Sequence, residues 1–265
     1  MKSQMKANLL LLLVAAIWGA AFVAQSSGMD YIEPFTFMVC RYILGVACLL
    51  PVMYFNDKKA KKGPPLHLKK KDLILCAALC GIFMTLGCGT QQMGLQYTSA
   101  GKSGFITALY VVLVPVCTIF MGKKPSLKLW ISVLLSCTAL YLLCVDGEFT
   151  VGKGEILTLI CAFMYVGHIL VIDHFAGRVD AVKMSCLQFA VCGVLSFIVM
   201  LLTETPDWQS ILDCWLPILY TGVLSTAVAF TLQAVAQTKT NPTTASIIMS
   251  LESCFGVLFG WIILH

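Results

Sequence analysis

The sequence predicts an all-α membrane protein, a polytopic helical bundle with nine transmembrane helices. Three observations predict it. The 265 residues are 59% hydrophobic and only 12% charged, where a soluble chain carries about 25% charged residues; mean hydropathy is +0.88. Apolar runs of about 20 residues, long enough to cross a ~30 Å hydrocarbon core as helices, recur along the whole chain. The basic residues collect in alternate connections, the bias that sets the orientation of membrane helices.

The first run, 7–25, follows Lys2 and Lys6. Its start resembles a secretory signal peptide, but the many spans behind it make it an uncleaved first helix. The second, 35–55, carries Arg41 inside an apolar stretch. The segment 56–72 is lysine-rich and loop-like. The third run, 73–93, ends on Gln91 and Gln92, and the fourth, 99–121, contains Lys102, Tyr110 and Pro115. The fifth, 128–144, has no charge beyond Lys128. Tyr165 and His168 lie in the sixth, 154–172; the seventh is 182–202; the eighth, 212–236, carries Gln233. The ninth, 242–264, holds Glu252 ten residues in, then Gly256 and Gly260.

With the N-terminus cytoplasmic, 15 of the 18 basic residues fall on the inner side: Lys2 and Lys6, seven lysines of 56–72 including Lys61 and Lys62, then Lys123, Lys124, Lys128, Arg178, Lys183 and Lys239. Lys153 is outer, and Arg41 and Lys102 lie within spans. Acidic residues such as Asp30, Glu33, Asp146, Glu148 and Glu204 lean outward. This places a multi-pass protein in the cell (inner) membrane and accounts for the formal charge of +5 with no nucleic-acid partner. The 13 cysteines sit mostly inside apolar runs without paired spacing. They read as small packing residues, and no metal or other cofactor is expected.

The chain also carries an internal similarity. Thr90, Gln92 and Gln96 repeat as Thr231, Gln233 and Gln237 at an offset of 141. At an offset of 147, Trp18 pairs with Tyr165 and Arg41 with Gln188. The order points to a duplication, 1–145 and 152–265, of a five-helix unit. An odd helix count inserts the second copy from the opposite side, the inverted-repeat geometry of alternating access.

The run from Gln96 to Pro115 resembles the fourth helix of EamA-type transporters in the drug/metabolite transporter superfamily. Ala15-Ala16-Ile17-Trp18-Gly19 is similar to their first-helix motif, and Arg41 with Pro51 to the second. Ser250-Leu251-Glu252-Ser253, then Gly260-Trp261, is similar to the ninth, with Ser253 where the family has proline. The resemblance implies ten helices in a 5+5 arrangement, so a last helix is missing after His265. It also implies a cavity lined by helices 1, 3, 4, 6, 8 and 9.

Ionisable and amide groups at bilayer depth usually face the interior or a cavity. The substrate-cavity candidates are Trp18, Gln91, Gln92, Tyr110, Tyr165, His168, Gln233 and Glu252. Each has a plainer alternative. The amides can glue helices, the aromatics can be packing, and Glu252 can serve structure or gating. His168 is either a histidine satisfied by a neighbouring helix or, with an unperturbed pKa of ~6.5, a proton-sensitive group. Arg41 reads as snorkelling to the outer interface or touching substrate, and Lys102 as an anchor. Pro115 predicts a kink in its helix, and Gly256-x-x-x-Gly260 a close helix contact.

The sequence thus predicts a secondary transporter of small polar or amphipathic metabolites such as amino acids, amines or drug-like organics, with a small-molecule substrate and membrane lipid as partners. A homodimer is compatible with it. No Walker-type phosphate loop is present. The rivals are a truncated, non-transporting fragment, a channel, and a membrane-embedded enzyme. An enzyme needs clustered acid–base groups, and Asp173-His174 is the one adjacent pair, so the chain is read as a non-enzyme.

Overall fold

The computed structural model describes residues 2–60, 69–122, 126–144 and 152–264; these form helices joined by short turns, with no strand among them. Lys61, Lys62, Lys123, Lys124, Asp146 and Glu148 lie outside the described residues. The first half contributes α1 (Lys2–Gly28), α2 (Pro34–Ala60), α3 (Lys70–Gly94), α4 (Ala100–Thr107), α5 (Tyr110–Phe120) and α6 (Leu127–Cys144). The second contributes α7 (Lys153–Phe175), α8 (Ala181–Thr203), α9 (Trp208–Asp213), α10 (Trp215–Leu219), a π-helical segment (Tyr220–Phe230), α11 (Thr231–Gln237), α12 (Pro242–Met249) and α13 (Glu252–Leu264).

Eight spans are long and apolar enough to cross a membrane. The expected fifth span, 128–144, is α6, an 18-residue helix whose described apolar stretch is Leu127–Thr138. The outside of the bundle is apolar, and polar groups are buried inside it among hydrophobic core residues. Ile43, Leu134, Leu202 and Trp261 are exposed on its outside, while Arg41, Gln92, Gln188, His168 and Glu252 are buried. In lipid this is the stable arrangement, because hydrocarbon satisfies the outer face and only neighbouring helices can satisfy the polar groups.

Two spans are broken in the same way. Ser99 caps α4 by accepting from the Lys102 N–H, and the helix ends at the turn residues Ala108 and Leu109 before α5 resumes. Asn241 caps α12 by accepting from the Thr244 N–H, and that helix ends at Ser250 and Leu251 before α13. Pro115 lies inside α5, which runs on to Phe120. Upstream of it the span is interrupted at Ala108–Leu109, where i→i−3 bonds such as Leu109 N–H to Ile106 O tighten the turn. The second break needs no proline either: Ser253 donates its hydroxyl to the Gly104 carbonyl at 2.6 Å, tying α13 to α4.

The two halves interlock rather than stand apart. α3 packs along α7, α2 along α8, and α1 along α13. Gly19 makes the last contact possible, since a Cβ there would sit 2.4 Å from the Phe255 Cβ and 2.8 Å from the Gly256 N. The Gly256-x-x-x-Gly260 face is thus turned towards α1, with Gly19 and Val23 as its neighbours.

At the face where α2 and α7 begin, carboxylates join the halves. Glu204, at the end of α8, accepts from the Phe35 and Thr36 N–H groups, both at 2.7 Å, and from the Thr36 hydroxyl at 2.8 Å. These are free first-turn donors of α2, and the helix dipole favours an anion there. Glu33 accepts from the Thr205 N–H at 3.2 Å. Glu155 accepts from the Thr98 hydroxyl at 2.6 Å and the Gly152 N–H at 2.9 Å. Nearby, Asp207 caps α9; the N–H and hydroxyl of Ser210 hold its carboxyl below the usual range.

Candidate substrate cavity

The central cavity has an empty volume of about 460 Å³, counting space open to solvent. Its walls come from α1, α2, α3, α5, α7, the π segment, α11, α12 and α13, so both halves build it. Seven of the eight sequence-predicted cavity residues line it: Trp18, Gln91, Tyr110, Tyr165, His168, Gln233 and Glu252. Gln92 does not. One residue further along α3, it is fully buried, and its amide donates to the Gln25 carbonyl at 3.1 Å. Lys102 is half-buried at the start of α4, where its N–H completes the Ser99 cap. Pro115, Gly256 and Gly260 also stand outside the lining.

The interior of the site is graded from aromatic to polar. The Trp18 and Phe230 rings lie 4.7 Å apart, and the Phe230 ring meets His168 edge-on at 5.8 Å. His168 Nε2 shares a 3.1 Å hydrogen bond with Gln188 Oε1. The Tyr165 hydroxyl is 3.1 Å from the Cys88 sulfur. Gln91 donates to the Thr107 hydroxyl at 3.0 Å, whereas Gln233 Oε1 has no hydrogen-bond partner. Tyr110 donates its hydroxyl to Glu252 Oε1 at 2.9 Å, a bond between the two broken spans.

Arg41 is the residue the sequence placed least well. It is 2% exposed, so it does not snorkel. Its Nε donates to the Thr226 hydroxyl at 3.0 Å, Nη1 to Gln25 Oε1 at 2.8 Å, and Nη2 to the Ser225 hydroxyl at 3.2 Å. Ser225 and Thr226 are consecutive residues of the π-wound segment Tyr220–Phe230, and both hydroxyls accept from the one guanidinium. The backbone of α2 comes close enough because the facing residue is Gly222, where a Cβ would lie 2.7 Å from the Leu44 Cβ.

Gln25, Phe22, Ser225, Phe230 and Met249 also line the cavity and were not anticipated. Gln25 was legible, being seven residues from Trp18 and hence on the same helix face. Ser225 was not, since nothing in the apolar eighth run announces the π winding.

A profile of the EamA-like transporter family matches residues 5–145 and 152–265. The chain belongs to the EamA-like transporter family. An "Uncharacterized transporter" of Archaeoglobus fulgidus is 32% identical over 257 residues, covering 96% of this chain and 77% of its own. The "Uncharacterized transporter YoaV" of Bacillus subtilis is 22% identical over 260 residues, covering 95% and 86%. A solved crystal structure superposes with a TM-score of 0.78 at 15% identity, over 97% of this chain and 88% of its own; that likeness concerns the fold. In this EamA-like chain the cavity brings aromatic, amide and ionisable groups together.

Proposed function

We propose that this EamA-like protein is a secondary transporter that moves small polar or amphipathic metabolites (amino acids, amines, drug-like organics) across the plasma membrane by alternating access. Residues 1–145 and 152–265 are read as two inverted copies of one unit. The N-terminus is placed in the cytoplasm, and no covalent chemistry is assigned to the site.

The observation that carries the reading is the Tyr110–Glu252 contact in a cavity built by both halves. The two residues are the first of the resumed helices α5 and α13 and so occupy matching places. A site on the axis between two related halves is what rocking of one half against the other would open alternately to each side. Transport in proteoliposomes tests this, with a panel of labelled metabolites and both directions of gradient. Saturable flux is expected for some solute; a flat rate for all of them in both directions overturns the reading. His168→Ala and Glu252→Gln are run beside the parent. A changed pH profile in either assigns proton coupling to that residue, and unchanged profiles in both remove it.

A further inference from the structure

A second cavity lies at the end of the bundle where α7 and α11 finish and α3 and α8 begin. Its empty volume is about 230 Å³, counting space open to solvent. Cys76 of α3, Ile172 of α7, Met184 of α8 and Ala234 of α11 form its walls, so the two halves meet in it. The turn from Ala176 to Val179 is its lip. Gly177 bends the chain there at φ 76°, and nothing stands within 4 Å of where a Cβ would be. The lining is apolar apart from Cys76 and Thr238, and the Thr238 hydroxyl is spent on the Val235 carbonyl at 2.8 Å. A polar solute would lose its hydration on these walls without return, whereas hydrocarbon would not. The rim is basic. Arg178 stands between the lining residues Gly177 and Val179, Lys183 precedes Met184, and Lys239 follows Thr238. Arg178 and Lys239 are exposed and make no ion pair or side-chain hydrogen bond among the described residues. The neighbouring carboxylates are occupied: Asp180 accepts from the Lys183 N–H at 2.9 Å, and Asp173, three residues before the lip, is likewise engaged.

We propose that this groove seats one anionic phospholipid, with an acyl chain between α3, α7, α8 and α11 and the phosphate held by Arg178 and Lys239. The place selects a lipid over other acidic partners. The groove sits at the ends of four membrane helices, the depth at which spans meet headgroups. Basic residues beside a span attract anionic headgroups, and a guanidinium presents paired N–H donors to two phosphate oxygens. A free anion would leave the apolar walls unused, and a lipid of zero net charge would leave the two cations unanswered. Since α3 belongs to the first half and α7, α8 and α11 to the second, a seated lipid braces the seam between them. No residue lines both this groove and the central cavity, so the lipid site stands apart from the transport reading.

The purified full chain, stripped of lipid in detergent, is titrated with dioleoylphosphatidylglycerol and separately with dioleoylphosphatidylcholine. Thermal stabilisation is read, since a ligand that binds the folded state raises the midpoint. Phosphatidylglycerol is expected to stabilise at concentrations at least about tenfold lower. The double variant Arg178→Gln/Lys239→Gln is expected to respond to the two lipids alike. Lys128→Gln is expected to keep the preference, because Lys128 is on α6, which packs on α4, α5, α12 and α13. Phosphatidylglycerol carrying a photoreactive diazirine on its acyl chain is expected to label peptides from Ile172 to Met184 in the parent. Equal stabilisation by the two lipids, equal loss of preference in Lys128→Gln, or labelling confined to other segments overturns the site. Inorganic phosphate or glycerol 3-phosphate matching phosphatidylglycerol also overturns it, because a headgroup alone would then account for the binding.

Discussion

Glu252 shows what a single residue's surroundings decide. Ten residues into its span, it was visible in the sequence as a carboxylate that must find a partner; that the partner is Tyr110 follows only from the meeting of two broken helices. Tyr110→Phe removes the donor and leaves a buried carboxyl oxygen unpaired. It is expected to destabilise the protein by about 1–3 kcal/mol, read as a lower thermal midpoint in detergent with helicity unchanged. An unchanged midpoint would mean that the bond contributes nothing. Gln91 and Gln92 mark the limit of reading residues from sequence. Adjacent amides on a helix point about 100° apart, and the letters alone do not say which one faces the cavity. For Arg41 depth was legible, but its burial depends on Gly222 and on the hydroxyls of a differently wound helix.

Helices were the most legible level. The apolar runs fall on the observed spans to within a few residues, because a ~30 Å core fixes helix length and composition together. The interruptions were not legible. The breaks before Tyr110 and Glu252 arise at residues without helix-breaking character, several residues from Pro115. The contacts between element ends were equally hidden, and Glu204 offers a test of one. Its carboxylate caps the start of α2 from the end of α8, and the Cys214 thiol is buried alongside, 3.8 Å from the Gly28 carbonyl. Glu204→Gln weakens a charge-assisted cap worth about 0.5–2 kcal/mol. Maleimide modification of Cys214, followed by peptide mass spectrometry, is expected to accelerate several-fold. The same rate in both proteins would show that the carboxylate does not hold this face shut.

At the scale of the molecule, the proposed sidedness is open to direct measurement. Cysteines introduced at the exposed or half-exposed positions Lys70 and Lys183, in a background freed of native thiols, are expected to react with an impermeant reagent from the same side. One introduced at Lys153 is expected to react from the other. Lys70 and Lys183 on different sides would overturn the threading and, with it, the inverted halves. The charge pattern made this much predictable, since a missed helix would have reversed every later loop. The interlocking of the halves, α3 on α7 and α2 on α8, was beyond it, because sequence offsets carry no record of which faces meet. The π winding of Tyr220–Phe230 bears on the whole assembly in another way. Eleven residues in wide turns span less height than they would in an α-helix, so the eighth span holds slack. Were it to tighten, it would lengthen and swing Ser225 and Thr226 away from the guanidinium. That makes it a built-in reserve of travel, located beside the most deeply buried charge in the bundle.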